Sequence, residues 1–427
     1  MGDRAIVHLD LDAFYVAVER VVSPRLRDRP VLVAFGGRCA PRTVVASVSY
    51  EAREAGIERG MPLRRARRLC PDVEVLPGSP DLYERASKAL FEVLSDFTPS
   101  IEPAGRDEAY LDLSGTGRLL GVPADAGSRI QREVRDRLRL EASVGLGTNK
   151  MLSKVAAGCA KPSGFCDVSP GWEAAFLRPL RVRRMPGVGE ATERRLLDFN
   201  LRRCGEVAEV PARYLEWAFG ARGRLLSERA RGYDPSPVRP RGPVRSVASE
   251  MTFDTDTNER PAVEAALRRL VERACGGLRG QGRLARTVAV RMRFADGIDR
   301  TRQQTLRMPT DLEQDLAPAA RELLERLWER RVRVRQLGVR CTGLVGGPEQ
   351  GDLFDDITGA DAWTPTRAQR GRALAGAVDR VRAKHGFEAL TSGRALEAPR
   401  GQMGREAGGH ALRVSDRTSE ADGYGCG

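Results

Sequence analysis

A chain of 427 residues with 41% hydrophobic content has enough apolar material for two to four buried cores, which excludes wholesale disorder. Lys and Arg outnumber Asp and Glu by 71 to 58, with arginine supplying nearly all of the excess; this points to a polyanionic partner, although a compositional arginine bias would give the same number. No apolar run reaches the roughly 18 residues of a spanning helix, Asp3 and Arg4 lead straight into a strand pattern, and the 8 Cys form no CxxC pair beside only 3 His. A membrane segment, a signal peptide, a zinc site and a disulfide framework are therefore not expected, and the chain reads as cytoplasmic.

In chain order, Ala5 to Leu11 reads as a strand and Ala13 to Val21 as a helix. PVLVAF and TVVASVSY read as two more strands, separated by the loop GGRCAPR. A basic helix follows at Pro62 to Cys70, then a helix at Asp81 to Phe97, a strand with an acidic start in IEPAGRDEAYLDL, a helix at Ala126 to Leu138 and the short strand ASVGLG. From Pro170 to Tyr233 the pattern is helical with Gly-containing connectors, and DPSPVRPRGPVRS, with four Pro and three Arg, has a linker composition.

Beyond the linker, SVASEMTF, AVEAALRRLVERAC, TVAVRMRF, RTRQQTLRM, DLAPAARELLERLWE and RQLGVRCTGL give strand, helix, strand, strand, helix, strand. This order makes a sheet covered by helices on one face. Val288, Val290, Met292 and Phe294 alternate with Ala289, Arg291 and Arg293, so one face is apolar and the other basic. Pro318 is expected to separate the first turn of the second helix. From Gly346 onward the chain is Gly-rich, with one weak helical segment at Arg370 to His385 and an end that reads as disordered.

In VHLDLDAFYVAVE, His8, Asp10 and Asp12 share one strand face. A second acidic pair, Asp107 and Glu108, opens the strand AYLDL. Taken singly, each acid reads more readily as a strand-end salt bridge or a helix cap, and Asp12 is well placed to N-cap the helix from Ala13. If the two strands are neighbours, Asp10, Asp107 and Glu108 converge and would repel one another unless divalent cations lie between them. Oxygen ligands without His or Cys favour Mg²⁺ or Mn²⁺. PGVG at 186 to 189 suggests a helix-hairpin-helix, whose glycines let backbone N–H groups approach a phosphate; a plain turn between helices is the alternative.

Four motifs, DLDAFYVAVE, VVASVSYEAREAGIERGMPLRRA, DEAYLD and ASVGLGTNKMLSKVAAGCAKPSG, in that order and at those spacings, resemble the Y-family DNA polymerases, and among them the DNA polymerase IV branch. The resemblance runs from about Ala5 to Val345. It implies an α+β right-hand polymerase: palm at 1–21 and 78–168, fingers at 22–77, helical thumb at 169–236, a linker at 237–245, a separate little-finger sheet domain at 246–345, and a flexible tail at 346–427. The implied activity is low-fidelity copying of damaged templates without a proofreading exonuclease, by a monomer acting on primer-template DNA and deoxynucleoside triphosphates.

The resemblance further assigns roles residue by residue. Asp10, Asp107, Glu108 and the Leu11 backbone oxygen would hold two Mg²⁺, with Mn²⁺ as the alternative. Tyr15 would be the steric gate against a ribose 2′-hydroxyl, and Phe14, Tyr50, Arg53 and Lys161 would bind the nucleotide. Gly187 and Gly189 in the hairpin, with Arg291 and Arg293 on the basic sheet face near Arg300 and Arg302, would contact DNA. Gln350, Leu353 and Phe354 of QGDLF resemble the motif by which bacterial polymerases bind the sliding clamp, its beta subunit. One departure is visible: Gly105 and Arg106 stand before the first acid, where the family has a small polar residue two positions upstream. A nucleotide cyclase on a similar palm, or a noncatalytic DNA-binding scaffold, are the competing readings.

Overall fold

The computed structural model describes residues 4–35, 42–240, 242, 244–346, 367–390 and 393. The chain divides into two compact units, Met1–Ala34 with Val44–Gly242, and Phe35–Thr43 with Pro243–Gly427. Among the described residues no helix is long and apolar enough to cross a membrane, and Cys70, Cys159, Cys166, Cys204, Cys275 and Cys341 are free thiols.

Among the described residues twelve strands are numbered in chain order. In the first unit they are β1 (Ile6–Leu11), β2 (Val31–Ala34), β3 (Val45–Val48), β4 (Glu74–Pro77), β5 (Ile101–Pro103), β6 (Glu108–Asp112), β7 (Ala142–Gly147) and β8 (Phe165–Asp167). In the second they are β9 (Ser246–Thr257), β10 (Arg283–Phe294), β11 (Asp299–Thr310) and β12 (Val334–Gly346).

The sheet that carries the acids has the order β5-β6-β1-β7-β8, with β1 antiparallel to both neighbours. Its central strand is covered on both faces: Ile6, Val7, His8 and Leu9 are fully buried. The helix Lys150–Cys159 lies directly on β7 because Gly145 allows it; a Cβ there would stand 2.1 Å from the Ser153 carbonyl oxygen. Asn149 fixes where that helix begins, accepting the Leu152 N–H and donating to the Gly232 carbonyl. A smaller sheet, β3-β2-β4, closes over its own core around Leu32, Val48 and Ile57. The helices from Glu173 to Ala230 enclose a separate cluster around Leu196, Val207 and Leu226.

Two local expectations for the first unit are corrected. IEPAGRDEAYLDL is not one strand but a hairpin, β5 and β6 in antiparallel register, with Ala104 and Gly105 N–H both donating to the Glu108 carbonyl. TVVASVSY stops being a strand at Val48, and Tyr50 opens a helix, Tyr50–Glu54. Ser49 ends the strand by accepting the Ala52 N–H as an N-cap while also accepting the Val31 N–H.

The second unit is the antiparallel sheet β11-β10-β12-β9 under the helices Arg260–Arg279 and Glu313–Leu327. Val288, Val290, Met292 and Phe294 are buried in its core. The expected break at Pro318 does not occur, since Glu313–Leu327 is continuous through it. A proline inside a helix costs about 3 kcal/mol. Burial of a leucine side chain returns about 1.5–3 kcal/mol, and Leu316, Leu323, Leu324 and Leu327 are all buried on that helix, so packing wins. The helix Arg367–His385 packs its Ala375 inward and anchors through Arg279–Asp379 and Arg382–Glu272 ion pairs.

Candidate active site

The register of the central sheet places Asp10 directly opposite Glu108. Asp107 immediately precedes β6, and its carbonyl accepts the Leu11 N–H at 2.9 Å. Three carboxylates from segments nearly a hundred residues apart are thus brought to one end of β1 and β6. Burial raises the Asp107 pKa, and the neighbouring charges of Asp10 and Glu108 raise it further. Burial pushes Glu108 the same way, but His8 and Lys154 more than offset it, holding that carboxyl at about 2.

Two ammonium groups hold two of the three acids. Lys154 Nζ donates to Glu108 Oε2, and Lys161 Nζ to Asp10 Oδ1, each at 2.6 Å. One turn before Lys154, Lys150 pairs with Glu102 at 2.6 Å and sits over the Tyr110 ring. His8 Nε2 lies 3.4 Å from Glu108 Oε2, near enough to favour the charged carboxylate. Burial lowers the His8 pKa, so the ring stays neutral there.

Asp12 does not cap the helix Phe14–Val22. Ala13 occupies the cap position at φ 46°, with no side-chain cap hydrogen bond. The buried Asp12 carboxylate instead accepts from Tyr50 Oη at 2.9 Å, Ser143 Oγ at 2.8 Å and the Ser163 N–H at 2.7 Å. A cap contributes about 1 kcal/mol, whereas each hydrogen bond to a buried charge contributes about 1.5–3 kcal/mol. Asp12 is therefore the peg that fixes Tyr50 and the loop after Lys161 against β1 and β7. Burial and Asp12 together raise the Tyr50 pKa, so its hydroxyl remains a donor.

Of the expected nucleotide ligands, Tyr50 and Arg53 stand together, the Arg53 guanidinium 4.6 Å from the Tyr50 ring centroid. Lys161 stands with Asp10. Phe14 is buried at 4% exposure, so its side chain belongs to the core. Tyr15 is backed by Tyr83, stacked at 4.4 Å between centroids and 27° between planes. Tyr83 is itself fully buried and donates to Glu19 at 2.7 Å. The sequence reading missed Tyr83 and Lys154, and placed His8 on the face of Asp10 without giving it a role. Lys154 had a signal, since it stands four residues after Lys150, one helical turn along the same face, in NKMLSKVAAGCAK.

Gly105 has a steric reason. A Cβ there would lie 3.0 Å from both Asp107 Oδ1 and Glu108 Cγ, so the absence of a side chain leaves both acids their places. In the hairpin at 186–189, Gly187 adopts φ +90° beside the Arg229 guanidinium, which donates to the Pro186 carbonyl at 2.7 Å. Gly189 is the N-cap of the helix Glu190–Asp198. Arg291 and Arg293 are not free on the sheet face. Both reach Asp299, at 2.9 Å and 3.4 Å, whereas Arg300 and Arg302 are exposed. Gln350, Leu353 and Phe354 lie outside the described residues.

The acids suit a hard divalent cation. Every acid offers carboxylate oxygens, and such a cation would relieve both the burial and the like-charge crowding that raise the Asp107 pKa. Among the described residues no group of three or more His, Cys, Asp or Glu is already drawn into a ligand cage.

The fold is that of Y-family polymerases. A Y-family DNA polymerase chimera superposes at a TM-score of 0.73 with 24% identity, covering 80% of this chain and 100% of its own. The crystal structure of DinB from Sulfolobus solfataricus superposes at 0.54 with 24% identity, covering 79% and 98%. The impB/mucB/samB family model matches residues 9–158, its C-terminal domain residues 244–353, and the DNA polymerase-iota thumb domain residues 183–234. A DNA polymerase IV of Dehalococcoides mccartyi is 38% identical over 395 residues, covering 92% of this chain and 98% of the relative. Another from Caulobacter vibrioides is 35% identical over 400 residues, covering 93% and 95%. The chain belongs to the Y-family DNA polymerases, in the DNA polymerase IV group, and is a DNA-directed DNA polymerase.

Proposed function

We propose that this chain adds deoxynucleotides to a primer 3′ end at the edge formed by Asp10, Asp107 and Glu108, copying damaged templates with low fidelity and without proofreading. The observation that carries this reading is the β1–β6 register, which sets Asp10 opposite Glu108 with Asp107 adjoining. In this reading residues 1–21 and 78–168 are the palm, 22–77 the fingers, 169–236 the thumb, 237–245 the linker and 246–345 the little finger.

The three acids and the Leu11 carbonyl would hold two divalent ions, Mg²⁺ or Mn²⁺, which activate the primer hydroxyl and neutralise charge on the departing pyrophosphate. Arg53, Tyr50 and Lys161 receive the triphosphate, two cations and a phenol that fit a polyanion. Lys161 is poised to exchange Asp10 for a phosphate oxygen. Tyr15, stiffened by Tyr83, excludes the 2′-hydroxyl. Gly187 and Gly189 present backbone N–H groups to the duplex, and Arg291, Arg293 and their exposed neighbours Arg300 and Arg302 hold its phosphates. Gln350, Leu353 and Phe354 tether a monomeric polymerase to the sliding clamp.

Primer extension on an undamaged template with Mg²⁺ tests this reading. Extension is expected from the wild type and is expected to fall at least about 10³-fold in Asp107→Ala, the several kcal/mol that a metal site supplies, with DNA affinity retained. Extension by Asp107→Ala at the wild-type rate contradicts it.

A further inference from the structure

We propose that Lys154 is a built-in counter-cation for the carboxylate edge: it holds Glu108 while no divalent ion is bound, and it competes with that ion for the same carboxylate. The proposal rests on the reading of Asp10, Asp107 and Glu108 as metal ligands, and it assigns a role to a residue outside that set.

Four observations support it. The Lys154–Glu108 contact is short, 2.6 Å, and both side chains are sheltered, at 35% and 22% exposure. The ammonium is delivered by a rigid element, since the helix Lys150–Cys159 is pinned by the Asn149 cap and by its close approach at Gly145. Lys161 treats Asp10 in the same way, so each strand's acid has its own ammonium. The composition is also pointed: only five of the 71 basic side chains are lysine, and Lys150, Lys154 and Lys161 are three of those five.

In a chain that otherwise uses arginine, lysine here has a physical reason. An ammonium is a compact point charge on a flexible stem, which neutralises one carboxylate oxygen and can swing aside. A guanidinium would grip both oxygens in a planar fork and would be far harder to displace. Lys154 holds Glu108 Oε2, so a cation that takes that oxygen has to displace the ammonium. The lysine therefore weakens cation binding in the free protein while sparing the three acids their mutual repulsion.

The test is Mn²⁺ binding to the DNA-free, full-length protein, read by electron paramagnetic resonance of the unbound ion. Far-UV circular dichroism and Tm are recorded for every variant. Lys154→Met is expected to bind Mn²⁺ about 5-fold more tightly than wild type, equivalent to about 1 kcal/mol of ion pairing. Lys154→Arg should bind more weakly than wild type, and Lys150→Met, which removes the pair to Glu102 instead, should leave the affinity unchanged. Lys154→Met should also lower Tm in chelator, with the loss recovered at saturating Mn²⁺. Equal or weaker Mn²⁺ binding by folded Lys154→Met, or an equal gain in Lys150→Met, overturns the role of Lys154 alone. Mn²⁺ binding that is indifferent to Asp107→Ala overturns the ligand reading, and the proposal with it.

Discussion

The strands β1 and β10 each run between two antiparallel neighbours, but they treat charge in opposite ways. β1 is covered on both faces, and the charged side chain at its end, Asp10, has a dedicated ammonium at 2.6 Å. β10 is covered on one face only. Its Arg291 and Arg293 side chains are 38% and 43% exposed and share Asp299, with Glu250 a second, looser partner of Arg291 at 3.5 Å. In a doubly covered strand a charge is expensive to desolvate unless it is matched, so its presence marks chemistry. On a half-open strand it stays solvated, and each arginine contributes a small, additive and salt-sensitive amount.

That contrast predicts large effects at the covered edge and small ones on the open face. Tyr15→Ala, which removes the wall held by Tyr83, should raise ribonucleotide incorporation relative to deoxynucleotide about 100-fold, measured as the ratio of kcat/KM values; unchanged sugar selectivity would remove Tyr15 from the gate. Gly105→Ala should lower kcat about 10-fold, because a Cβ at 3.0 Å from Asp107 Oδ1 and Glu108 Cγ shifts both acids and a displacement of under an ångström is costly at a reacting centre. Full activity in that variant would show that the hairpin yields freely. On the open face, Arg302→Ala should weaken DNA binding uniformly across sequences and reduce the salt slope of log Kd by about one; an unchanged slope would exclude it from the phosphate contacts.

His8 sharpens the comparison through stability. Its folded pKa lies below 6.5, so as pH falls through about 6.5 the unfolded chain takes up a proton that the folded chain refuses, and stability drops. His8→Gln should flatten the dependence of urea midpoint on pH between 7 and 5. A slope equal to wild type would mean that the imidazole takes up its proton equally readily in the folded and unfolded chains.

Much of this was legible in the sequence, for identifiable reasons. The β10 alternation of Val288 to Phe294 against Arg291 and Arg293 reports directly which face is covered, because strand periodicity is a local property. Most of the longer helices were found to within a few residues for the same reason, but the helix Lys150–Cys159 was not read and the start of Tyr50–Glu54 was taken for strand. The β5–β6 hairpin was not legible, since its turn, Ala104 to Asp107, has neither a Pro nor an Asn-Gly pair and the acids interrupt the alternation. Asp12 looked like a cap because capping is local. Its real partners, Tyr50, Ser143 and Ser163, are 38 to 151 residues away, and no periodicity encodes them. Lys154 and Tyr83 escaped for that reason too: each acquires meaning only from a residue on another element.

The most direct test is anomalous diffraction from Mn²⁺ in a crystal of the polymerase with primer-template and a nonhydrolysable deoxynucleotide. The account predicts two peaks within ligand distance of Asp10, Asp107 and Glu108, with Lys154 withdrawn from Glu108. Peaks located elsewhere, with Asp10 and Glu108 still on their lysines, would contradict it.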